Sequence, residues 1–443
     1  MPSIDASAKV AVIAMTQSSG SIAVVGAGPS GFYAVDALSR ARPDARIDII
    51  DRLPTPFGLA RYGVAPDHQG TKGVTRQFDR LLAKPGVRFI GGVALGRDIS
   101  LPELRNLYDA VMIATGCGRD RRLGIPGEHL DGVMGSMRFV DWFNAHPDAV
   151  DLTETIAQAR HVAVIGNGNV AIDVARVFAK TAEEMAKSDI DPRAQAAIVA
   201  MRLETVSLYG RRGPAEASFT INELNEMGRL ARAVALVDAA DVANVAAPDS
   251  DPTPERLRKQ KNIEALRGFS SNVPHAKPVG LAFRFHRAPL TLSGENGRVV
   301  GINFAGGSYT PADLVITCIG YDTILPDDLP ADKGRVANDE GRVAGLPGVY
   351  VVGWARRGPS GTIPTNRADS FAVAERLVTD LAPSSRPGPA GLDALLASRG
   401  VATIDTAGWQ RIDKAESDAG AREGRPRVKL TSWAALRAAA NPA

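Results

Sequence analysis

Two glycine-rich turns, each placed between a short apolar run and a segment with helical periodicity, constrain the fold of this chain more than any other feature. The first apolar run, Ile22 to Val25, leads into the turn Gly26 to Gly31, and apolar residues then recur at helical spacing. A second apolar run, Ile47 to Ile50, ends at Asp51. Short apolar runs of this kind are typical of buried parallel strands. The segment is therefore predicted to form a complete β-α-β unit.

The spacing of the glycines in the first turn is typical of a nucleotide site. The pyrophosphate of a dinucleotide binds at a helix N-terminus, where unpaired N–H groups and the helix dipole favour an anion. Gly26 would make the tight turn, Gly28 would let the backbone approach the phosphates, and Gly31 would allow close packing of helix on strand. Asp51 stands where an acid would bind the ribose hydroxyls. An ordinary glycine-rich turn without a ligand is the alternative.

A second unit of the same kind follows much later in the chain. The run Val162 to Ile165 enters the turn Gly166 to Ala171, which has alanine in the third small position, and a helical pattern continues from Ile172 to Ala186. The charged and alanine-rich stretch Lys180 to Met201 predicts an inserted helix before the next strand. A tight strand–helix turn that binds nothing is again the alternative.

Two adjacent arginines distinguish the second unit from the first. The predicted strand Val206 to Tyr209 runs directly into Gly210 and then Arg211 and Arg212. An NAD-binding unit would place a carboxylate at this position, and a carboxylate would repel the 2′-phosphate of NADP. Guanidinium groups can instead bind that phosphate with two hydrogen bonds each. The pair therefore favours NADP, with solvated loop charges as the alternative.

Two nucleotide turns in one chain predict an α/β protein with two doubly wound dinucleotide-binding domains. The arrangement that serves hydride transfer places FAD on the first unit and NADP(H) on the second, with the donor carbon ~3–3.5 Å from the flavin. The NADP-binding domain is then inserted into a discontinuous FAD-binding domain. The predicted division is a flexible tail at 1–20, FAD-binding segments at 21–117 and 321–443, and an NADP-binding domain at 118–320.

Composition excludes several other classes of protein. The chain has 443 residues and a formal net charge of +3, which is too small a surplus to indicate a nucleic-acid partner. No run approaches the ~20 apolar residues of a membrane span, so no span is expected. The first twenty residues contain no signal-peptide core and no arginine, so a cytoplasmic location is expected. The two cysteines, Cys117 and Cys318, are too few for a disulfide framework or an iron–sulfur cluster. No metal site is predicted.

Three longer motifs resemble adrenodoxin reductase-type ferredoxin–NADP⁺ reductases. They are Pro54 to His68, Gly210 to Pro214 with the following Phe219 to Leu224, and Val351 to Ile363. The resemblance extends from about Ile22 toward the C-terminus. It implies a fold like that of glutathione reductase, with a discontinuous FAD-binding domain and an inserted NADP-binding domain.

The resemblance also implies roles for individual residues. FAD contacts would fall on the first glycine turn and on Ala27, Asp51, Leu59, Val93, Trp354, Gly361, Thr362 and Ile363, with Val93 in a strand after Gly91-Gly92. NADP contacts would fall on Asn167, Gly168, Asn169, Val170, Arg211, Arg212 and Glu223. His68 and Glu226 match a pair beside the flavin and the nicotinamide, where they would order the site or relay protons. A purely structural hydrogen bond is the alternative for that pair.

The resulting hypothesis is a flavoprotein oxidoreductase. A hydride would pass from NADPH to FAD, and single electrons would then pass to a separate, transiently bound ferredoxin-type iron–sulfur protein. A basic docking surface is expected for an acidic ferredoxin, with candidates Arg229, Arg232, Arg356 and Arg357, although solvated charges are an alternative. The rival functions are a monooxygenase or diaphorase that acts on a small molecule or oxygen, and a sensor that binds both nucleotides without turnover.

Overall fold

The computed structural model describes residues 20–382 and 386–442, so nearly all of the expected tail at 1–20 lies outside the described residues. The strands are β1 (Ser21–Val25), β2 (Arg46–Asp51), β3 (Val87–Gly91), β4 (Ala110–Ile113), β5 (Arg119–Asp120), β6 (Val133–Gly135), β7 (His161–Ile165), β8 (Thr205–Tyr209), β9 (Ala233–Val237), β10 (Val279–Arg284), β11 (Pro289–Glu295), β12 (Arg298–Phe304), β13 (Tyr309–Pro311), β14 (Leu314–Thr317), β15 (Tyr321–Asp322), β16 (Ala331–Asp332), β17 (Arg335–Val336), β18 (Asn338–Asp339), β19 (Arg342–Val343) and β20 (Val349–Val351).

Helices connect these strands and cover the sheets. They are α1 (Pro29–Ala41), α2 (Leu59–Tyr62), α3 (Gln69–Lys72), α4 (Thr75–Leu82), α5 (Leu101–Leu107), α6 (Ser136–Phe143), α7 (Thr153–Ala157), α8 (Asn169–Ala179), α9 (Ala182–Met185), α10 (Pro192–Ala200), α11 (Ile221–Met227), α12 (Ala239–Val242), α13 (Thr253–Ser270), α14 (Trp354–Arg357), α15 (Ile363–Asp380), α16 (Pro389–Ser398), α17 (Thr406–Arg422) and α18 (Trp433–Ala440).

The first sheet has the strand order β18-β19-β20-β4-β1-β2-β3, and β20 to β3 in this order run parallel. Separate apolar clusters pack on its two faces. One contains Phe32 of α1, Val373 of α15 and Trp409 of α17, and the other contains Leu104 of α5 and Leu392 of α16. Because helices cover both faces, the strands are mainly apolar, as the short runs in the sequence predict, although β2 also carries the buried Asp48.

The second sheet is parallel, with the order β6-β14-β7-β8-β10-β9. Helices including α8, α11 and α13 pack on one face, and the antiparallel sheet β11-β12-β13 packs on the other. The helix after the second glycine turn is shorter than the sequence predicts, because α8 ends at Ala179. The expected single inserted helix at 180–201 is wrong, since two short helices, α9 and α10, occupy that stretch.

The chain passes between the two sheets at two places that lie side by side. β5, which follows the first sheet's β4, pairs antiparallel with β15, which follows the second sheet's β14. The two parallel sheets and the double crossover confirm the doubly wound α/β class. The division at 117/118 and 320/321 stays a prediction, although both crossovers lie within a few residues of it. Among the described helices, none is long and apolar enough to cross a membrane.

Candidate functional site

The first glycine turn is shaped so that two of its glycines are obligatory. Gly26 has φ +113°, and a Cβ there would lie 2.4 Å from the carbonyl oxygen of Ala114. A Cβ on Gly31 would lie 2.0 Å from the carbonyl oxygen of Gly26, so α1 packs against the turn at a distance that only glycine permits. The N–H of Gly26 donates to Ile50 O at 2.7 Å, which anchors the turn on β2.

Gly28, in contrast, faces open space. It is the residue before α1, and a Cβ added there would meet nothing within 4 Å. The N–H groups of the first turn of this 13-residue helix therefore face a cradle with room for a pyrophosphate. The loop that carries the family-like motif borders this cradle, because Phe57 N–H donates to Ala27 O at 2.7 Å and Leu59 begins α2 directly afterwards.

Asp51 is fixed by the backbone around it. Its carboxylate accepts from Ala27 N–H at 2.6 Å and from Leu53 N–H at 2.8 Å. Burial raises the pKa of Asp51, against the effect of these two donors. Each oxygen keeps further acceptor capacity for a ribose hydroxyl.

Val93 does not lie in a strand. The strand β3 ends at Gly91, so the expected place of Val93 in a strand is wrong. The Val93 N–H donates to Asp51 O at 2.9 Å, which places this residue beside the end of β2.

The third motif reaches the same cradle from the C-terminal part of the chain. A Cβ on Gly353 would lie 2.2 Å from Ser30 Oγ, so this glycine allows the motif to contact α1. Trp354 stacks on Tyr321 with ring centroids 5.9 Å apart. The buried Trp354 Nε1 has no hydrogen-bond partner among the residues that the structure describes.

The N-terminus of α15 adds exposed backbone beside that tryptophan. Gly361 and Thr362 are exposed, Thr362 caps the helix, and Ile363 is its first residue. An unpaired indole N–H, an exposed helix N-terminus and an open phosphate cradle together fit a bound flavin nucleotide. The described residues therefore fit FAD at the first turn.

The second turn has the same construction with different side chains. Gly166 has φ +143°, and Gly168 precedes α8. Asn169 Oδ1 accepts from Thr220 N–H at 2.8 Å, which ties this helix to the segment before α11. The buried Asn167 Oδ1 lacks a partner within the described part of the chain, so it can accept a hydrogen bond from a nucleotide. Val170 is partly buried on the core.

Arg211 and Arg212, the predicted NADP phosphate ligands, follow β8 directly. Both are exposed just beyond the end of β8, and within residues 20–382 and 386–442 neither guanidinium has a side-chain partner. Sequence reasoning missed three further basic residues beside them, because only the pairing of β10 with β8 brings them close. Exposed Arg284 pairs with the last residue of β8, His286 N–H donates to Arg212 O, and Arg287 N–H donates to Gly210 O.

The two halves meet at His68, which lies just before α3. Its Nε2 is 3.4 Å from Glu223 Oε2 and 3.6 Å from Glu226 Oε2, both on α11. Arg176 of α8 lies against the His68 ring and donates from NH1 to Glu226 Oε2 at 2.5 Å. The structure thus brings together the predicted pair His68 and Glu226, with Arg176 between them as a residue that sequence reasoning missed.

Two more carboxylates and a lysine complete this junction. Arg176 is fully buried, and it lies 2.6 Å from Asp173 Oδ1 and 3.0 Å from Asp67 Oδ2. Lys180 Nζ is 2.5 Å from the same Asp67 oxygen. Asp173 and Arg176 stand three residues apart on α8, a spacing that in sequence resembles any solvated helix face. Only the packing of α8 on the loop at 67–68 reveals them.

The surroundings of the junction shift the pKa values of three of its acids. Burial raises the pKa of Asp173 to about 7, and burial also raises that of Glu223. Burial acts on Asp67 in the same direction, but Arg176 and Lys180 outweigh it, so the pKa of Asp67 is lowered. Because the carboxylates outnumber the fixed cations here, at least one acid is readily protonated. Among the described residues, the buried Glu223 Oε2 accepts no hydrogen bond, although His68 Nε2 lies 3.4 Å away, so it can accept from a ligand.

Most of the arginines expected to dock an acidic partner have other roles. Arg356 NH1 and Arg357 Nε lie 2.5 and 3.3 Å from Asp369 Oδ1. Arg232 donates to the carbonyl oxygens of Phe178 and Ala179. These three arginines bind a carboxylate or carbonyl oxygens of the same chain, so their placement does not support the docking prediction. Arg229 is exposed.

Comparisons with known proteins agree with this geometry. Residues 20–206 match the family model described as pyridine nucleotide-disulphide oxidoreductase. The chain is 37% identical to the mitochondrial NADPH:adrenodoxin oxidoreductase of Arabidopsis thaliana over 95% of both sequences. It is 36% identical to the NADPH-ferredoxin reductase FprA of Mycobacterium tuberculosis strain H37Rv, over 94% of this chain and 98% of that protein.

A solved structure extends the agreement to three dimensions. The structure of Mycobacterium tuberculosis FprA in complex with NADPH superimposes with a TM-score of 0.90 and 35% identity, covering 95% of this chain and 99% of that one. Identity at this level over nearly the whole length does not arise from a shared nucleotide-binding fold alone. The chain belongs to the family of NADPH:adrenodoxin oxidoreductases and NADPH-ferredoxin reductases.

Proposed function

We propose that this chain binds FAD on its first glycine turn and NADP(H) on its second, and passes electrons from NADPH to an iron–sulfur protein. Family membership makes the chain an NADPH-dependent flavoprotein oxidoreductase. The observation that carries the residue assignments is the junction, where the loop at 67–68 from the first half contacts α8 and α11 of the second. The junction therefore joins the half that carries the first turn to the half that carries the second.

Each group of residues has a distinct task in this proposal. Arg211 and Arg212 bind the 2′-phosphate, and the backbone at Gly168 binds the pyrophosphate. Trp354 and the N-terminus of α15 orient the flavin ring, while bound FAD supplies the two-electron to one-electron chemistry. His68 and Glu226 order the nicotinamide side of the site. The carboxylates around Arg176 hold the proton that accompanies electron transfer.

The electron acceptor is proposed to be a separate protein. The two cysteines, both free, cannot hold a cluster within this chain. The relatives are named for adrenodoxin and ferredoxin as their partners. A cytoplasmic location is part of the proposal. Because several relatives are named as mitochondrial, subcellular fractionation decides between the two compartments.

The proposal is tested in two stages with the purified holoprotein. Under anaerobic conditions, NADPH is added and the loss of the flavin absorbance near 450 nm is followed. Ferredoxin and cytochrome c are then added, and cytochrome reduction that depends on ferredoxin is expected. Bleaching without ferredoxin-dependent reduction would contradict the proposed acceptor. Turnover with oxygen or a small quinone alone would favour a monooxygenase or diaphorase, and a single stoichiometric reduction without cycling would favour a sensor.

A further inference from the structure

A second group of charged residues lies completely buried close to the junction, but it does not contact the predicted nucleotide positions. Lys72, Asn144, Asp189 and Lys429 are 7%, 0%, 4% and 4% exposed. They come from four separate parts of the chain: α3, the residue after α6, the segment between α9 and α10, and the segment between α17 and α18. We call these four residues the lysine–aspartate cluster. It joins elements of both sheets and of the C-terminal segment.

Asp189 is the centre of the lysine–aspartate cluster. Its Oδ2 lies 3.0 Å from Lys72 Nζ and 2.8 Å from Lys429 Nζ, so two lysine amino groups share one carboxylate. Asn144 Oδ1 accepts from both lysines, at 3.1 and 3.3 Å. Burial lowers the pKa of both lysines against the effect of Asp189, so the group is favourable only while its hydrogen-bond geometry is kept. Each of the four segments is therefore held in place by the other three.

Asp189 is also bonded to the loop that carries His68. Its backbone N–H donates to Pro66 O at 3.1 Å, and its Oδ1 accepts from Gln69 Nε2 at 3.2 Å. Lys72, which Asp189 binds, donates its own backbone N–H to His68 O at 3.0 Å. Asp189 thus binds the chain on both sides of Asp67 and His68, while its own carboxylate makes no contact with the His68 ring.

We propose that Asp189 is a positioning residue for hydride transfer. It fixes the loop at 66–69 of the first half against the second half, and thereby sets the distance from His68 to Arg176 and Glu226. Lys429 completes the cluster, which gives the C-terminal segment a role in the reaction geometry. The inference rests on the proposed function of His68. A displacement of about 1 Å at a reacting group can cost ~100-fold in rate, so a distant residue can act strongly through position alone.

The test compares Asp189→Asn with Asp191→Asn in the full-length holoprotein. Asp191 is a matched control, because it is equally buried but caps α10 and contacts Arg193 instead of the loop at 66–69. The rate of flavin bleaching by NADPH is measured by rapid mixing under anaerobic conditions. We expect Asp189→Asn to slow bleaching by about tenfold or more. The NADPH concentration that gives half of the maximal bleaching rate should stay within about threefold of the original value. Asp191→Asn should keep the original bleaching rate.

A second variant covers the case in which Asp189→Asn does not fold. Lys429→Met removes one of the two lysines that compete for Asp189 and leaves a one-to-one pair of Lys72 and Asp189, so it is expected to fold and retain flavin. It should also slow bleaching, since the C-terminal segment no longer holds Asp189. If every variant that retains flavin bleaches as fast as the original protein, Asp189 has no positioning role.

The bleaching assay separates this inference from the proposed function. It measures only the step from NADPH to flavin, before any iron–sulfur protein is added. Failure of ferredoxin-dependent cytochrome reduction in the unmodified protein would therefore overturn the proposed acceptor and leave the role of Asp189 intact. Equal bleaching in Asp189→Asn and Asp191→Asn would overturn the positioning role alone.

Discussion

Replacement of Arg211 and Arg212 by alanine should change the choice of coenzyme without changing the fold. Both side chains are exposed, and within the described residues neither forms an ion pair. Exposed substitutions of this kind alter the free energy of unfolding by about 0.5 kcal/mol or less. NADPH and NADH differ only by the 2′-phosphate, so a residue that binds that phosphate acts on one coenzyme alone.

The size of the effect follows from the number of hydrogen bonds lost. A hydrogen bond between charged partners contributes about 1.5–3 kcal/mol, and each arginine can bind the phosphate with its planar guanidinium. Because ~1.4 kcal/mol corresponds to a factor of ten, each replacement should lower kcat/KM for NADPH by roughly 10- to 100-fold. The exposed Arg284 and Arg287 beside them should retain part of the attraction, so the loss in the double variant is expected to fall short of the product.

The assay is steady-state reduction of an artificial acceptor with NADPH and with NADH. The expected result is a large loss of kcat/KM with NADPH and a change within about threefold with NADH. Arg122→Ala is a matched control, since that side chain is 88% exposed and distant in sequence from the second turn. Equal losses with both coenzymes would refute the reasoning, because the arginines would then act on folding or on the shared part of the nucleotide.

Two further predictions concern the cradle and the junction. Gly28→Ala should leave the fold intact, since its Cβ meets nothing, but it should lower flavin retention by filling the phosphate cradle; Gly26→Ala should destabilise the protein itself. Two measurements distinguish these variants: the ratio of absorbance at 450 nm to that at 280 nm reports flavin content, and thermal unfolding reports stability. Full flavin content in Gly28→Ala would contradict the prediction for that variant. Because burial raises the pKa of Asp173 from 3.8 to about 7, its contribution to stability is present below pH ~4 and is lost as the pH rises through ~7. Asp173→Asn should therefore flatten the dependence of the urea midpoint on pH over that interval, and an unchanged slope would mean that the carboxyl is ionised throughout.

The buried ionic contacts suggest why the two halves of this protein keep one arrangement. The junction around Arg176 and the lysine–aspartate cluster both join segments of the two halves, and both contain buried charged groups, namely Arg176 in the first and Lys72, Asp189 and Lys429 in the second. Breaking such a contact leaves an uncompensated buried charge, which is strongly destabilising. A fixed arrangement suits a reaction in which the nicotinamide must lie directly against the flavin.

The sequence alone was sufficient for most features that depend on neighbours along the chain, although the single helix expected at 180–201 and the strand expected at Val93 are wrong. The two β-α-β units, the glycines of their turns, Asp51 at the end of β2 and the arginine pair after β8 follow from local patterns, because backbone sterics and strand or helix periodicity act over a few residues. The three long motifs likewise predicted the family. The domain boundaries and the roles of individual site residues stay predictions.

Tertiary structure decided which charged residues pair with one another. In the sequence, Arg176 and Asp173 resemble a solvated helix face, Arg356 and Arg357 resemble a docking surface, and Asp189 lies in a stretch with no assigned function. Strand order and the packing between the two sheets bury Arg176 and Asp189 and turn Arg356 inward toward Asp369. The energy of a charge depends on its burial and on the partners that long-range packing supplies, and neither quantity is encoded by its neighbours in sequence.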